Sequence, residues 1–103
     1  MVGVDLSRIY RFKKVKRNLI EKILHPKEIL EYDKLSKKDK PKYLASRWAI
    51  KEAIFKADNQ YFFFNQILII KTLEGRYLFE GFEISTSNEG DLVIAFVIKK
   101  QEK

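Results

Sequence analysis

Apolar positions recur along this chain with three different spacings, and each spacing predicts a different kind of element. Over residues 6–24, Leu6, Ile9, Phe12, Val15, Leu19 and Ile23 fall three or four residues apart, which predicts one amphipathic helix or two short ones. Residues 43–57 hold no Gly, Pro or Asn, and Pro41 stands where a first helical turn tolerates a missing N–H. A long helix is therefore predicted over residues 40–57. Beyond it the rhythm shortens to two. Strands are expected over residues 66–70 and 77–79, joined by a turn at 73–76, and over 82–87 and 92–98, joined across Asn88-Glu89-Gly90-Asp91. Residues 1–4 read as a short strand that delivers Asp5 at its end, with Asp5 or Ser7 able to cap the helix after it. His25-Pro26 breaks the first helical pattern, and Pro26 starts a short helix through about Tyr32. Residues 35–40 form a charged connector that Ser36 could cap. Together these predict a single α+β domain over residues 1–103, with helices packed on a small antiparallel sheet and a long buried central helix.

Around the long helix, at about 100° per residue, Leu44, Trp48 and Phe55 lie together, followed by Ala45, Ala49, Ala53 and Ala57, then Ile50 and Ile54. Ser46, Arg47 and Lys51 interrupt the rest. A helix so apolar is buried, and an alanine row at four-residue spacing lets another backbone come close. Glu52 and Lys56 fall inside the apolar arc. An i, i+4 Glu–Lys pair on a wet face is the ordinary reading, worth a few tenths of a kcal/mol. A carboxylate in a partly dry site is instead a candidate metal ligand or acid/base group. In the last strand Leu92, Ile94, Phe96 and Ile98 occupy one face and Val93, Ala95 and Val97 the other. That strand is expected to be covered on both sides, by a helix and a sheet or by a neighbouring subunit.

Composition narrows the picture. Hydrophobic residues at 46%, with 14% aromatic, describe a folded chain, and disorder is expected only over residues 99–103. A chain of 103 residues buries a modest share of its surface, so oligomerisation would help it. The absence of cysteine excludes disulfides and thiolate sites. With no apolar leader and no spanning run, the cytoplasm is the default and no membrane partner is expected. A net charge of +7 attracts polyanions: nucleic acid, a phosphate-rich cofactor or an acidic protein. The basic residues concentrate early, as Arg8, Arg11, Lys13, Lys14, Lys16, Arg17 and Lys22. His25 is the sole histidine and reads as a loop residue. The aromatic run at residues 61–64 is read as core or subunit interface in preference to a base-stacking platform. P-loop, dinucleotide, zinc and Ser-His-Asp patterns are all missing.

Two motifs, in order and in register, carry a resemblance. Arg47-Trp48-Ala49-Ile50-Lys51-Glu52-Ala53-Ile54-Phe55-Lys56-Ala57, preceded by Tyr43-Leu44-Ala45, resembles the central motif of the holo-[acyl-carrier-protein] synthases, the small phosphopantetheinyl transferases. Gly3-Val4-Asp5 resembles that family's strand ending in Gly-hydrophobic-Asp. Weaker matches at Lys22-Ile23-Leu24, at residues 28–32 and at residues 84–98 extend the likeness over nearly the whole chain.

The resemblance implies transfer of 4'-phosphopantetheine from coenzyme A to a serine of apo acyl carrier protein, releasing adenosine 3',5'-bisphosphate. It implies Mg²⁺ held by Asp5 and Glu52, with Lys56 neutralising the leaving bisphosphate and Glu52, or a water beside it, receiving the serine proton. Arg47 and Lys51 are expected on the remaining coenzyme A phosphates. Ser87 and Asn88 stand where the family has Ser or Thr followed by His, and are expected at the cofactor; Asn88 can donate a hydrogen bond but carries no proton. The basic first helix, through Arg8, Arg11, Lys14 and Arg17, is expected to dock the acidic carrier. A homotrimer with active sites between subunits is implied too. The family's glycine-rich turn after the central helix is absent here. Two competing readings are a small nucleic-acid-binding domain, which leaves Glu52 unexplained, and an inactive structural relative, suggested by Asn88 and the missing glycines.

Overall fold

In the computed structural model, which describes residues 1–101, the long helix α3 spans Lys40–Ala57, as its composition predicts. Ala45, Ala49, Ala53 and Ala57 are all fully buried along it. Against this row lies strand β1 (Val2–Arg8). A Cβ on Gly3 would sit 1.8 Å from the carbonyl oxygen of Ala53 and 2.9 Å from the amide nitrogen of Ala57, so strand and helix touch main chain to main chain. Any side chain at position 3 must push backbone aside. Gly3→Ala is expected to destabilise the fold by about 3 kcal/mol, on the order of 15 °C in Tm. Scanning calorimetry checks this, and an unchanged Tm would contradict the close approach.

Strands β4 (Phe82–Glu89) and β5 (Leu92–Lys99) form the C-terminal hairpin, and β5 also pairs with β1 to give an antiparallel sheet in the order β1-β5-β4. Gly90 turns the hairpin at a positive φ of 55°, a conformation that favours glycine. Asp5 pairs with Ala95 and Ser7 with Val93. The side chains of Asp5, Ser7, Val93, Ala95 and Val97 share the face that packs on α3. On the opposite face Val2, Val4, Leu6, Leu92, Ile94, Phe96 and Ile98 are each at least 36% exposed in the single chain. Half of the expected two-sided cover is thus supplied by α3, and the other face is open in the single chain.

The N-terminal region departs from expectation. β1 does not end before Asp5 but continues to Arg8, which pairs with Leu92. A 3₁₀ turn follows at Ile9–Phe12, and only Arg17–Ile23 forms an α-helix (α1). The three-residue steps of Leu6, Ile9 and Phe12 imitate a helical stripe. They arise from an outward strand position followed by a 3₁₀ turn, whose own repeat is three. Helix α2 (Pro26–Lys34) begins where Pro26 predicts and runs two residues beyond Tyr32. His25 is its N-cap: Nδ1 accepts from the Lys27 N–H, while the His25 N–H donates to Glu28 in a capping box.

After α3 comes a second 3₁₀ turn, Phe64–Gln66, and the expected strand at residues 66–70 shrinks to β2 (Ile70–Lys71), paired with β3 (Tyr77–Leu78). Ile67 and Ile69 are nonetheless buried and anchor the segment. Of the run at 61–64, Phe62 and Phe63 are exposed, while Tyr61 and Phe64 pack against the core. The tail is ordered further than expected. Lys99 closes β5, its N–H donating to the Met1 carbonyl at 2.8 Å and its ammonium pairing with Asp58, and the Lys100 N–H donates to the Gly81 carbonyl. The expectation for residues 102 and 103 lies outside the described residues. Among those described, no helix is long and apolar enough to cross a membrane.

Candidate active site

Asp5, Glu52 and Lys56 meet where β1 crosses α3. The strand's alternation turns Asp5 towards the helix, and Glu52 and Lys56 are one helical turn apart on it. The Lys56 ammonium donates to the Val4 carbonyl at 3.0 Å and to Asp5 Oδ1 at 3.3 Å. Ser7 Oγ, two residues along the same strand face, donates to Asp5 Oδ2 at 2.9 Å. Both Asp5 oxygens are thereby oriented. Burial first, and the Asp5 charge second, hold the Glu52 carboxyl above its ordinary range, with Lys56 and Arg11 acting in the opposite sense. A carboxyl group held back from ionising, next to a second carboxylate and a half-exposed lysine, is a donor set suited to a hard divalent cation. Mg²⁺ needs only one or two protein carboxylates, since it keeps several waters. Among the described residues no third acidic, His or Cys side chain joins them.

The other two cations of α3 are placed quite differently from expectation. Lys51 is fully buried, and its ammonium donates to Glu28 Oε1 at 2.5 Å, the Ile23 carbonyl at 2.8 Å and the Phe64 carbonyl at 2.9 Å. Burial pushes this lysine down to about 8, with Glu28 opposing the shift. With no exposed surface and three acceptors already taken, Lys51 does not reach a phosphate, and its assignment to the cofactor is corrected. The helix wheel located the apolar arc well but misjudged which charges were buried. Arg47 and Lys51 are enclosed, while Lys56 is open to solvent.

Arg47 is 3% exposed, with its guanidinium carbon 4.0 Å from the Tyr43 ring centre and 5.2 Å from that of Tyr77. Among the described residues its Nε has no hydrogen-bond partner, Glu28 Oε2 lying 3.7 Å away and Glu31 Oε1 3.8 Å from the terminal nitrogen. It lines a cavity of about 410 Å³ together with Lys42, Ser46 and Lys71.

Ser87 and Asn88 are both exposed near the end of β4, and successive strand positions send them to opposite faces. Ser87 is paired with Ile94 on the outer face, and Asn88 with Val93 on the inner one. The four arginines and lysines expected to dock a carrier do not lie on one helix. Arg8 is on β1 with Asp91 at 4.0 Å, and Arg17 opens α1 held by Asp33 at 2.6 and 2.9 Å. Arg11 and Lys14 belong to the 3₁₀ turn and the loop after it, and carry no ion pair among the described residues. Together with Tyr10 and Lys13 they line a surface hollow of about 460 Å³. Sequence reasoning missed Ser7 as the partner of Asp5 and Glu28 as the partner of Lys51. The first was detectable from the two-residue alternation Gly3, Asp5, Ser7. The second was not, because those residues are far apart along the chain and nothing in either motif links them.

The sequence model of the 4'-phosphopantetheinyl transferase superfamily matches residues 1–97. A holo-[acyl-carrier-protein] synthase of Mycoplasma mobile is 47% identical over 102 residues, which cover 99% of this chain and 91% of that relative. Its counterpart in Mycoplasmopsis pulmonis is 50% identical over 99 residues, covering 96% and 89%. The solved structure of the Helicobacter pylori holo-[acyl-carrier-protein] synthase, in complex with coenzyme A, shares the fold at a TM-score of 0.76 and 28% identity, over 97% of this chain and 100% of that one. A family match spanning both motif regions, and relatives of this identity along almost the whole length, show that the chain is an enzyme belonging to the holo-[acyl-carrier-protein] synthases of the 4'-phosphopantetheinyl transferase superfamily.

Proposed function

We propose that this chain transfers 4'-phosphopantetheine from coenzyme A to a serine of an apo acyl carrier protein, in a Mg²⁺-dependent reaction that releases adenosine 3',5'-bisphosphate. The convergence of Asp5, Glu52 and Lys56 carries the reading. Asp5 and Glu52 would hold the cation, which when bound supplies positive charge against the diphosphate. The serine oxygen bonds to the phosphorus that bears the pantetheine, and the bond from that phosphorus to the bridging oxygen breaks. Glu52, whose raised pKa favours taking a proton, receives the one that serine loses. Lys56, half exposed and already turned to this spot by Asp5, faces the negative charge that develops on the departing oxygen. Ser7 keeps Asp5 from swinging away.

Arg47, with Lys42 and Lys71 around its cavity, suits the cofactor's other phosphate. Its direction from α3 is about 140° from that of Glu52, so a cofactor that uses both is bound between two copies of the chain. The uncovered apolar face of β1 and β5 supports the same arrangement, the homotrimer that the resemblance implies. Ser87 projects from that face and would lie at such an interface. Arg11 and Lys14, free of ion pairs among the described residues, meet the acidic carrier.

The test is to incubate the chain with coenzyme A, Mg²⁺ and apo carrier protein and to weigh the carrier by mass spectrometry. A phosphopantetheine adduct that a chelator prevents is expected. No adduct under any of these conditions, with tight binding of random RNA at physiological salt, would favour the nucleic-acid reading instead.

A further inference from the structure

We propose that Glu28 and Lys51 are positioning residues, which fix α1, the helix that follows directly on the Arg11 to Lys14 stretch, and the aromatic segment at residues 61–66 relative to Glu52; the carrier side of this rests on the function proposed above. Lys51 immediately precedes Glu52 on α3. Its ammonium is bonded to the last residue of α1 through the Ile23 carbonyl and to the second 3₁₀ turn through the Phe64 carbonyl. Glu28 completes the tie: one oxygen takes Lys51 and the His25 N–H at 2.9 Å, the other the Ile69 N–H at 3.1 Å. One buried pair therefore joins the end of α1, the start of α2 and both ends of the segment 64–69 to α3.

Besides this pair, further polar ties between these pieces lie at the surface: Arg17 on Asp33 joins α1 to α2, and Asn65 donates to the Glu21 carbonyl at 3.4 Å. With seven residues, α1 is too short to persist alone, and only Ile20 and Ile23 of it are buried. In the aromatic segment Phe62 and Phe63 are exposed. Trp48 joins the two 3₁₀ turns, its ring centre 6.2 Å from that of Phe12 and 5.6 Å from that of Phe64. Apolar contacts of this kind slide. Hydrogen bonds from a single ammonium to two carbonyls do not. A buried ion pair often adds little net stability over an apolar pair of the same volume, although removing one partner alone is costly. Geometry is what this pair provides that an apolar pair would not.

The double variant Glu28→Met/Lys51→Met leaves neither charge of the pair without the other, but it also takes Glu28 from the His25 and Ile69 N–H groups and from Arg47, so its Tm is measured beside its kinetics. In steady-state transfer its KM for the carrier is expected to rise about tenfold while its KM for coenzyme A stays within about threefold. Hydrogen exchange should quicken at residues 17–24 and 61–69, and the emission of Trp48, the sole tryptophan, should shift. Arg11→Glu/Lys14→Glu is measured in parallel. If that reversal leaves carrier KM unchanged, the docking assignment falls, and exchange and Trp48 emission still decide the positioning role. Native exchange and emission in the double variant, or equal rises in both KM values, would overturn the proposal. Should the double variant fail to fold, Glu28→Gln/Lys51→Met keeps the shape at position 28, leaves no charge of the pair behind, and reads the same two KM values and the same emission.

Discussion

Glu52→Gln is expected to leave the chain folded and to slow transfer roughly a thousandfold, about 4 kcal/mol at about 1.4 kcal/mol per tenfold. The substitution preserves shape and removes only charge and basicity, the two properties that the proposed chemistry asks of this residue. Stability should not fall with it. Burial and Asp5 raise the pKa of Glu52 in the fold, so its stabilising contribution is present at low pH and is lost as pH rises through that raised value. At neutral pH the ionised carboxylate is therefore slightly unfavourable, and the glutamine variant without metal should melt no lower than its parent. Added Mg²⁺ should raise the parent's Tm and leave the variant's nearly unmoved. Circular dichroism, Tm with and without Mg²⁺, and transfer at saturating Mg²⁺ test this together. Near-normal turnover in the folded variant would refute the assigned chemistry.

Phe96→Glu should convert the proposed assembly to monomers and abolish transfer while the monomer remains folded. Phe96 lies between Val4 of β1 and Ser85 of β4, in the middle of the apolar outer face. In the single chain it is accessible, so glutamate there meets water and leaves the α3 side of the sheet untouched. In an assembly the same carboxylate would be buried without a partner, at a cost of several kcal/mol, and each 1.4 kcal/mol weakens association about tenfold. Because Arg47 and Glu52 face apart on α3, a monomer offers coenzyme A only half of the proposed contacts. Sedimentation equilibrium of the parent and the variant, with transfer measured on both, is decisive. A parent that is monomeric at micromolar concentration would remove the assembly and the shared site together.

The bounds of α3 were legible because strong helix formers fill it without a break and Pro41 marks its start. Leu92 to Ile98 was legible because two-residue alternation over apolar, β-branched positions has no helical counterpart. β1 was cut short because Ser7 and Arg8 look like a cap and a helix opening. Its pairing with β5, nearly ninety residues later, is the force that extends the strand. The short β2 and β3 owe their place to the buried Ile67 and Ile69 more than to any strand pattern. For the site, Asp5 and Glu52 could be named from their motifs, and the chain does bring them together. Lys51 could not be understood that way. A wheel shows which direction a lysine leaves its helix, and says nothing of the carboxylate and carbonyls that distant segments place around it.

Gly3 lies against Ala53, and the two residues bracket the proposed metal ligands in sequence, Asp5 two residues on and Glu52 one residue back. Nothing but main chain and hydrogen atoms separates strand from helix there, so the gap between the two carboxylates is gauged by the thickness of two backbones. Core drift has little leverage on such a gauge. Exchanging Ile20, Ile23 or Leu24 for a neighbour in size rearranges α1 without adding or removing anything between β1 and α3. The spacing of the two backbones that carry these carboxylates is thus a property of the fold itself, set where Gly3 meets the Ala53 carbonyl.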